Sequence, residues 1–360
     1  MKVLVDDGLA STYLSGIGMH TTGLLPALER LGSSEVDDFN VHKFNLNFAQ
    51  RFAHKIKRGI YLLYLNFLMP ILPKMKGFDL IHFSNHLTPI WGRSFANYVV
   101  TIQDLSALDI PDLIPQPAWY LKYAKFMLKR ATKVCRVVVV PSEFTAKRVH
   151  ELFKVPLDRI HVCYNGIQLG VQEEAAPVAR TNEVLFVGCM ERRKNPMTLI
   201  KAFEIAASQN PDIKLKFIGK TGFGYQDLID EIDKSKFKDR IQICGKVPVD
   251  ELARSYQTAR MLVLPSFYEG FGIPVAEAMA NGLPVVISDI DVLKEVTGKA
   301  GNVYGEPLDE QGLAKSILKL AEDDTCFKES SEAGKERALA FSWHNVAKQH
   351  YNAYLAAFKK

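Results

Sequence analysis

Between Met261 and Ser288 the chain reads MLVLPSFYEGFGIPVAEAMANGLPVVIS. Two apolar strand-like runs, Met261–Leu264 and Pro284–Ile287, enclose a glycine-rich turn and a helix-like segment. Strand, tight turn, helix, strand is the βαβ unit of an open parallel sheet. In such a unit the loop leaving the strand is where ligands bind, and the N-terminus of the following helix attracts anions. Glu269 and Glu277 stand eight residues apart here, the first followed by Gly270, Phe271, Gly272, Ile273 and Pro274. Two carboxylates do not suit a bare phosphate cradle. They fit a ligand that presents hydroxyls as well as phosphates.

The same rhythm runs along the whole chain. In the first half, Lys2–Val5, Leu80–Phe83, Tyr98–Ile102, Val137–Val140 and Arg159–Tyr164 read as strands. Helices are expected from about Met19 to Leu31 and from about Ala118 to Lys133, and Ser142 caps another with Glu143 in its first turn. Residues 168–180, with Gly170, Pro177 and two adjacent alanines, lack periodicity and read as a linker. The βα alternation then restarts. Strands at Val184–Val187, Lys214–Ile218 and Ile241–Cys244 alternate with helices from about Met197, around Gln226–Lys234 and around Asp250–Thr258. A series that stops and restarts within 360 residues implies α/β architecture in two doubly wound, Rossmann-like domains, 1–167 and 181–342, facing a central cleft. The remaining segment, 343–360, holds an amphipathic helix, Trp343–Phe358, with Val346, His350, Tyr354 and Leu355 on one stripe.

Composition narrows the setting. Hydrophobic content of 48% and charged content of 24% are those of an ordinary soluble globular protein. Cys135, Cys163, Cys189, Cys244 and Cys326 show neither a CxxC pair nor metal-ligand spacing, and read as buried thiols of a reducing compartment. MKVLVDDG lacks the apolar core of a signal peptide and no uninterrupted apolar run reaches membrane-spanning length, so the expected location is cytoplasmic. Positive charge is uneven: the first 180 residues carry 21 Lys/Arg against 15 Asp/Glu, the last 180 carry 24 against 25. That points to an anionic surface or partner for the first half. Lys55, Lys57 and Arg58 precede the short apolar run Ile60–Met69, and Lys74 and Lys76 follow it. Tyrosines and cations flanking an apolar face suit an interfacial helix on anionic lipid, peripheral on the cytoplasmic face; the alternative is a core helix with a solvated basic end. The Ala118–Lys133 helix carries Lys122, Lys125, Lys129, Arg130 and Lys133, by default a solvated face and otherwise a second surface for membrane or acidic ligand.

Candidate site residues lie at the C-terminal ends of the strands, where open parallel sheets bind ligands. Strand 2–5 leads to Ser15-Gly16-Ile17-Gly18, a Gly-x-Gly that lets backbone come close to a phosphate. The next ends lead to Asn85 and His86, and to Gln103 and Asp104. Val187-Gly188-Cys189-Met190-Glu191-Arg192-Arg193-Lys194-Asn195 sets three cations at a helix start; the guanidinium fork and the mobile ammonium together suit a diphosphate. Glu277, near the second turn of its helix, can accept hydrogen bonds from vicinal hydroxyls such as those of a ribose. Glu269, beside the N–H groups of Phe271, Gly272 and Ile273, can hold a second sugar. The plain alternative is that one glutamate is a cap and the other a surface residue. Diphosphate, ribose and sugar together describe a nucleotide-diphospho-sugar.

In these residues the chain resembles the retaining glycosyltransferases of family 4, with the GT-B fold. The resemblance rests on the Gly188…Arg193-Lys194-Asn195 loop and the Glu-x7-Glu spacing of Glu269 and Glu277. Pro265-Ser266, Glu277-Ala278-Met279-Ala280, Pro284–Ser288, Pro141-Ser142-Glu143-Phe144 and Asn165-Gly166 add to it. It implies that Arg193 and Lys194 neutralise the departing diphosphate, that Glu269 holds the donor sugar and that Glu277 holds the ribose. It further implies that Gly16 and Gly18 approach the phosphates from the other domain, that backbone at Lys246-Val247-Pro248 reads the base, and that the last helix crosses back onto the first domain. Many members have His-Asp where this chain has Gln103-Asp104. Glutamine cannot titrate, so Asp104 or substrate groups would carry any proton transfer, or donor choice differs. The resemblance implies retention without a clear carboxylate nucleophile. The reaction expected is a front-face displacement in which the leaving phosphate takes the acceptor proton, with Arg193 and Lys194 in place of a metal. A GDP-mannose-like donor and a glycan or lipid-linked glycan acceptor of cell-surface polysaccharide follow from the same likeness, with no cofactor.

Rival readings exist. Asp289-Ile290-Asp291 spells the Asp-x-Asp of metal-dependent GT-A transferases. An NAD-dependent oxidoreductase would need a third glycine that Gly16-Ile17-Gly18-Met19-His20-Thr21 lacks. A same-fold epimerase or phosphorylase would share the donor site, and a non-catalytic membrane-binding protein would not need it.

Overall fold

The computed structural model describes residues 1–6, 16–44, 77–84, 96–168 and 180–359. The chain forms two compact units, one of Met1–Leu108, Gln116–Gly166 and Ser342–Lys360, the other of Asp109–Pro115 and Ile167–Phe341. The proposed membrane residues Lys55, Lys57 and Arg58, the strand-end residues Asn85 and His86, and most of the linker lie outside the described residues.

The first unit is a parallel sheet of β1 (Lys2–Asp6), β2 (Asn40–Phe44), β3 (Leu80–Phe83), β4 (Ala96–Thr101), β5 (Cys135–Val140) and β6 (Ile160–Val162), in the order β2-β1-β3-β4-β5-β6. Central strands must be apolar on both faces because helices cover both, and β3 and β5 are buried almost throughout. The edge strand β2 was not anticipated. Its His42 and Lys43 are exposed, so the apolar run that marks a buried strand is missing.

The Gly16–Ser34 helix begins at the Gly-x-Gly itself, three residues before Met19. The Trp343–Lys359 helix packs against it and against β4 and β5, within the first unit. The inward stripe of that last helix is Val346, Ala347, His350, Ala353, Tyr354 and Ala357; Leu355 is only partly buried. The indole of Trp343 lies against two glycines. A Cβ at Gly23 would come within 2.1 Å of the indole and one at Gly166 within 2.2 Å. Gly166 thus makes room for an aromatic ring.

Between these elements lies a histidine cluster. His82 bonds Tyr354 Oη at 2.8 Å and Thr101 Oγ1 at 2.7 Å. His350 lies 5.5 Å from His20 and 5.9 Å from His82, ring centre to ring centre. Both ring nitrogens of His20 are buried and find no hydrogen-bond partner among the described residues. Burial, and to a lesser degree the charge of neighbouring imidazoles, lowers His20 to about 3; burial lowers His350 to about 4; His82 is likewise depressed. All three are neutral spacers.

The second unit repeats the plan with β7 (Glu183–Val187), β8 (Lys214–Ile218), β9 (Ile241–Ile243), β10 (Met261–Leu264), β11 (Val285–Ile287) and β12 (Gly301–Val303), again all parallel, in the order β12-β11-β10-β7-β8-β9. The chain builds outward from β7 through β8 to β9, then returns to the other side of β7 with β10. Order reverses at the β7/β10 pair, the switch point beside which open α/β sheets bind their ligands. The helices Glu310–Glu322 and Asp324–Ala338 complete the unit. Among the described residues no helix is long and apolar enough to cross a membrane; Cys135 and Cys163 are buried free thiols, whereas Cys189, Cys244 and Cys326 are only partly buried.

Candidate active site

The loops after β7 and β10 carry the chemistry. After β7 the chain passes Gly188, which adopts φ +146°, and makes a 3-10 turn at Arg192–Lys194. The Lys194 side chain lies back across Gly188, where a Cβ would stand 3.0 Å from Lys194 Cε. Asn195 takes a left-handed conformation, caps the Pro196–Gln209 helix through Thr198 N–H, and donates to the carbonyls of Pro265 (3.1 Å) and Pro307 (2.6 Å). Phe267 N–H donates to Arg193 O at 2.9 Å, fastening the two loops backbone to backbone. Asn195 therefore holds the cationic turn to the glutamate loop.

Glu269 is 6% exposed and lies at the centre of an ion network. Lys194 Nζ donates to its Oε1 at 2.6 Å, Ser266 Oγ to the same oxygen at 2.8 Å, and Arg193 Nη1 to its Oε2 at 3.1 Å. Burial by itself pushes this carboxyl up, but Lys194 and Arg193 with the Ser266 hydrogen bond outweigh it and hold it at about 2. It is an ionised acceptor at any physiological pH. Arg193 is fixed further by Glu191 at 2.8 Å and by the Tyr268 carbonyl at 2.7 Å. Arg192, by contrast, turns outward over the Phe223 ring and pairs with Asp227 at 2.7 Å. Of the three adjacent cations, two face the glutamate.

Glu277 sits in the second turn of the Ile273–Ala280 helix, whose N-cap is Gly272 and which has no side-chain cap. It is neither a cap nor a free surface residue. Tyr256, from the Val249–Thr258 helix, donates its hydroxyl to Glu277 Oε2 at 2.8 Å. Burial raises Glu277 while Tyr256 opposes the rise. The tyrosine holds one oxygen and leaves the other to accept. Gly270, Phe271 and Gly272 are buried in the turn and Ile273 opens the helix; Phe271 packs edge-on against Phe341, centroids 5.2 Å apart. Val247 follows β9 in the loop before the Val249–Thr258 helix and is partly buried.

Arg193, Lys194 and Glu269 are thus in direct contact, with Gly188 beneath Lys194, all in the second unit. Gly16 and Gly18 open their helix in the first unit, and Gln103 and Asp104 follow β4 there. The Asp104 carboxylate accepts from Ser106 N–H at 3.1 Å and Ser106 Oγ at 2.9 Å, so it starts a short helical turn. Asp289 and Asp291 share the Lys294 ammonium, at 2.5 and 3.7 Å. Among the described residues no cluster of three or more His, Cys, Asp or Glu is arranged to hold a metal ion. Ser266 and Tyr256 were missed as site residues. Ser266 was visible only as part of Pro265-Ser266, and Tyr256 carries no local signal because it meets Glu277 across 21 positions.

Comparison with known proteins agrees with this geometry. Residues 172–338 match the family Glycosyl transferases group 1, and residues 15–171 match Glycosyltransferase Family 4. O-antigen chain mannosyltransferase B of Escherichia coli is 31% identical over 267 residues, 71% of this chain and 69% of that protein. Sucrose-phosphate synthase from Thermosynechococcus elongatus superposes with a TM-score of 0.78 at 19% identity, covering 100% of this chain and 99% of that one. Anabaena HepE, solved with UDP and glucose, superposes with a TM-score of 0.70 at 17% identity, covering 98% of each chain. At such identities the structural likeness speaks for the fold. With its two halves matched in turn and a glycosyltransferase relative at 31% identity, the chain belongs to the group 1 glycosyltransferases of family 4 and has the GT-B fold of two Rossmann-like domains.

Proposed function

We propose that the chain is a retaining, metal-independent hexosyltransferase. It moves a hexose, mannose in our reading, from a nucleotide-diphospho-sugar to a glycan or lipid-linked glycan acceptor in cell-surface polysaccharide synthesis, at the cytoplasmic face of the membrane. One observation carries the reading: the Glu269 carboxylate held between Lys194 and Arg193 at the β7/β10 switch point. Cations fixed in place before the ligand arrives stabilise a departing diphosphate without reorganising, and an ionised carboxylate beside them accepts from sugar hydroxyls. Glu277, oriented by Tyr256, takes the ribose. The E. coli relative, an O-antigen chain mannosyltransferase by name, supports the choice of sugar and acceptor.

The test begins with thermal shift over UDP-, GDP-, ADP- and TDP-sugars. Transfer from the stabilising donor to a water-soluble glycan acceptor is then followed by NMR of the product's anomeric centre, with and without a chelator. The expected result is a GDP-mannose shift and a product of unchanged anomeric configuration, formed equally with chelator. An inverted product, loss of turnover with chelator, or a rearranged sugar formed without acceptor would each overturn part of the reading, the last in favour of an epimerase.

A further inference from the structure

The Ala118–Val134 helix has an inward face of Ala124, Met127, Leu128, Ala131, Thr132 and Val134, packed on the first unit's sheet. Its outward face is unlike an ordinary solvated one. Trp119 is 65% exposed and Phe126 59% exposed, while Lys122, Lys125, Lys129 and Lys133 are exposed beside them. Trp119, Lys122, Phe126, Lys129 and Lys133 follow one another at alternating steps of three and four residues, so aromatic rings and ammonium groups share one stripe. The helix contains no acidic residue. None of the four lysines makes an ion pair among the described residues, although other exposed lysines, such as Lys201, Lys294 and Lys348, do. Large aromatics left in water forgo burial that the fold could supply, and four unpaired cations repel one another. A negatively charged surface with an apolar layer just beneath it relieves both.

We propose that this helix is a membrane-docking element that lays its Trp119/Phe126 stripe flat on an anionic phospholipid bilayer. The lysine heads meet lipid phosphates, and the two rings enter the boundary between headgroups and acyl chains. A soluble acidic partner would satisfy the lysines but leave the rings without an apolar layer, so the combination favours lipid. The docking is independent of the donor chemistry and does not use the Lys55, Lys57 and Arg58 stretch. It complements the reading of a lipid-linked acceptor by placing the first unit at the surface where such an acceptor lies.

The test is co-sedimentation of the full chain with phosphatidylcholine vesicles, with and without phosphatidylglycerol, while transfer to a water-soluble acceptor monitors folding and catalysis. The chain is expected to bind only the phosphatidylglycerol vesicles, with a blue shift of tryptophan emission that Trp119→Phe removes. Lys122→Glu/Lys129→Glu should weaken binding by roughly tenfold or more, and Trp119→Ala/Phe126→Ala comparably, all with soluble-acceptor transfer unchanged. Failure to bind, equal binding to both vesicles, or parental binding by both helix variants would overturn the proposal. So would loss of binding confined to Lys55→Ala/Lys57→Ala/Arg58→Ala. Those outcomes leave the transferase reading standing, and that reading fails instead if soluble-acceptor transfer is absent in the parent.

Discussion

Removing the Lys194 ammonium isolates the energetics of the site. Lys194 is 7% exposed and Glu269 6%, with 2.6 Å between Nζ and Oε1. Lys194→Ala leaves a buried carboxylate with Arg193 at 3.1 Å and Ser266 as its remaining partners. Stripping one member from a buried ion pair costs about 3–5 kcal/mol. The carboxyl itself gives a second measure. Its shift from the ordinary 4.5 to about 2 corresponds to about 3 kcal/mol of folding stability. A folded pKa below the unfolded one means that this stability is fully present above about pH 4.5 and is lost as pH falls through about 2. Against a typical total of roughly 5–15 kcal/mol, Lys194→Ala still folds, but its urea midpoint drops markedly at neutral pH. Its acid-dependent loss below about pH 4.5 should be smaller than the parent's, because the folded Glu269 pKa moves up towards the unfolded one and less stability is tied to that carboxylate. Glu269→Gln in the Lys194→Ala background removes the stranded charge, so the double variant should be more stable than the two single effects predict by about 2 kcal/mol. Urea unfolding followed by far-UV circular dichroism at neutral pH and near pH 4.5, with transfer measured on the folded fraction, reads all of this. Sugar transfer should vanish in every variant. A Lys194→Ala midpoint equal to the parent's, or a strictly additive cycle, would refute the argument.

Two further outcomes follow from other buried groups. Because His20, His82 and His350 are held neutral, each below its unfolded value near 6.5, the first unit should be fully stable above about pH 6.5. It should weaken as pH falls toward about 4 and 3, by about 1 kcal/mol per pH unit for each imidazole. His20→Phe should flatten that slope in urea melts followed by tryptophan fluorescence, and an unchanged slope would remove His20 from the account. Tyr256→Phe deletes the hydroxyl that orients Glu277. It is expected to weaken nucleoside-diphosphate binding by roughly fivefold, about 1 kcal/mol, while kcat at saturating donor stays near the parent's; a loss confined to kcat would contradict that role.

Much of this protein was legible before any coordinates. The strands Leu80–Phe83, Glu183–Val187 and Met261–Leu264 fall where the apolar runs stand, because a parallel strand covered on both faces must be apolar along its length. Arg193, Lys194 and Glu269 could be named because glycines and charged residues after such strands mark ligand loops. Edge strands were harder: β2 and β12 are half-solvated, so their sequences carry little apolar signal.

Local sequence therefore determined which residues form the strands, where the loops leave them, and the kind of chemistry those loops carry. Only the tertiary structure decided the pairing. The order reversal between β7 and β10 brings Lys194 to Glu269 across 75 positions and turns Arg192 away from both. Packing likewise set Tyr256 on Glu277, seated Trp343 between two glycines, and buried three histidines in neutral form. It also gave Glu269 its low pKa, since a charge buried among chosen partners is a property of the enclosure. The periodicity of a chain reports which side of a strand or helix faces the core, and it carries no information about which distant side chain waits there.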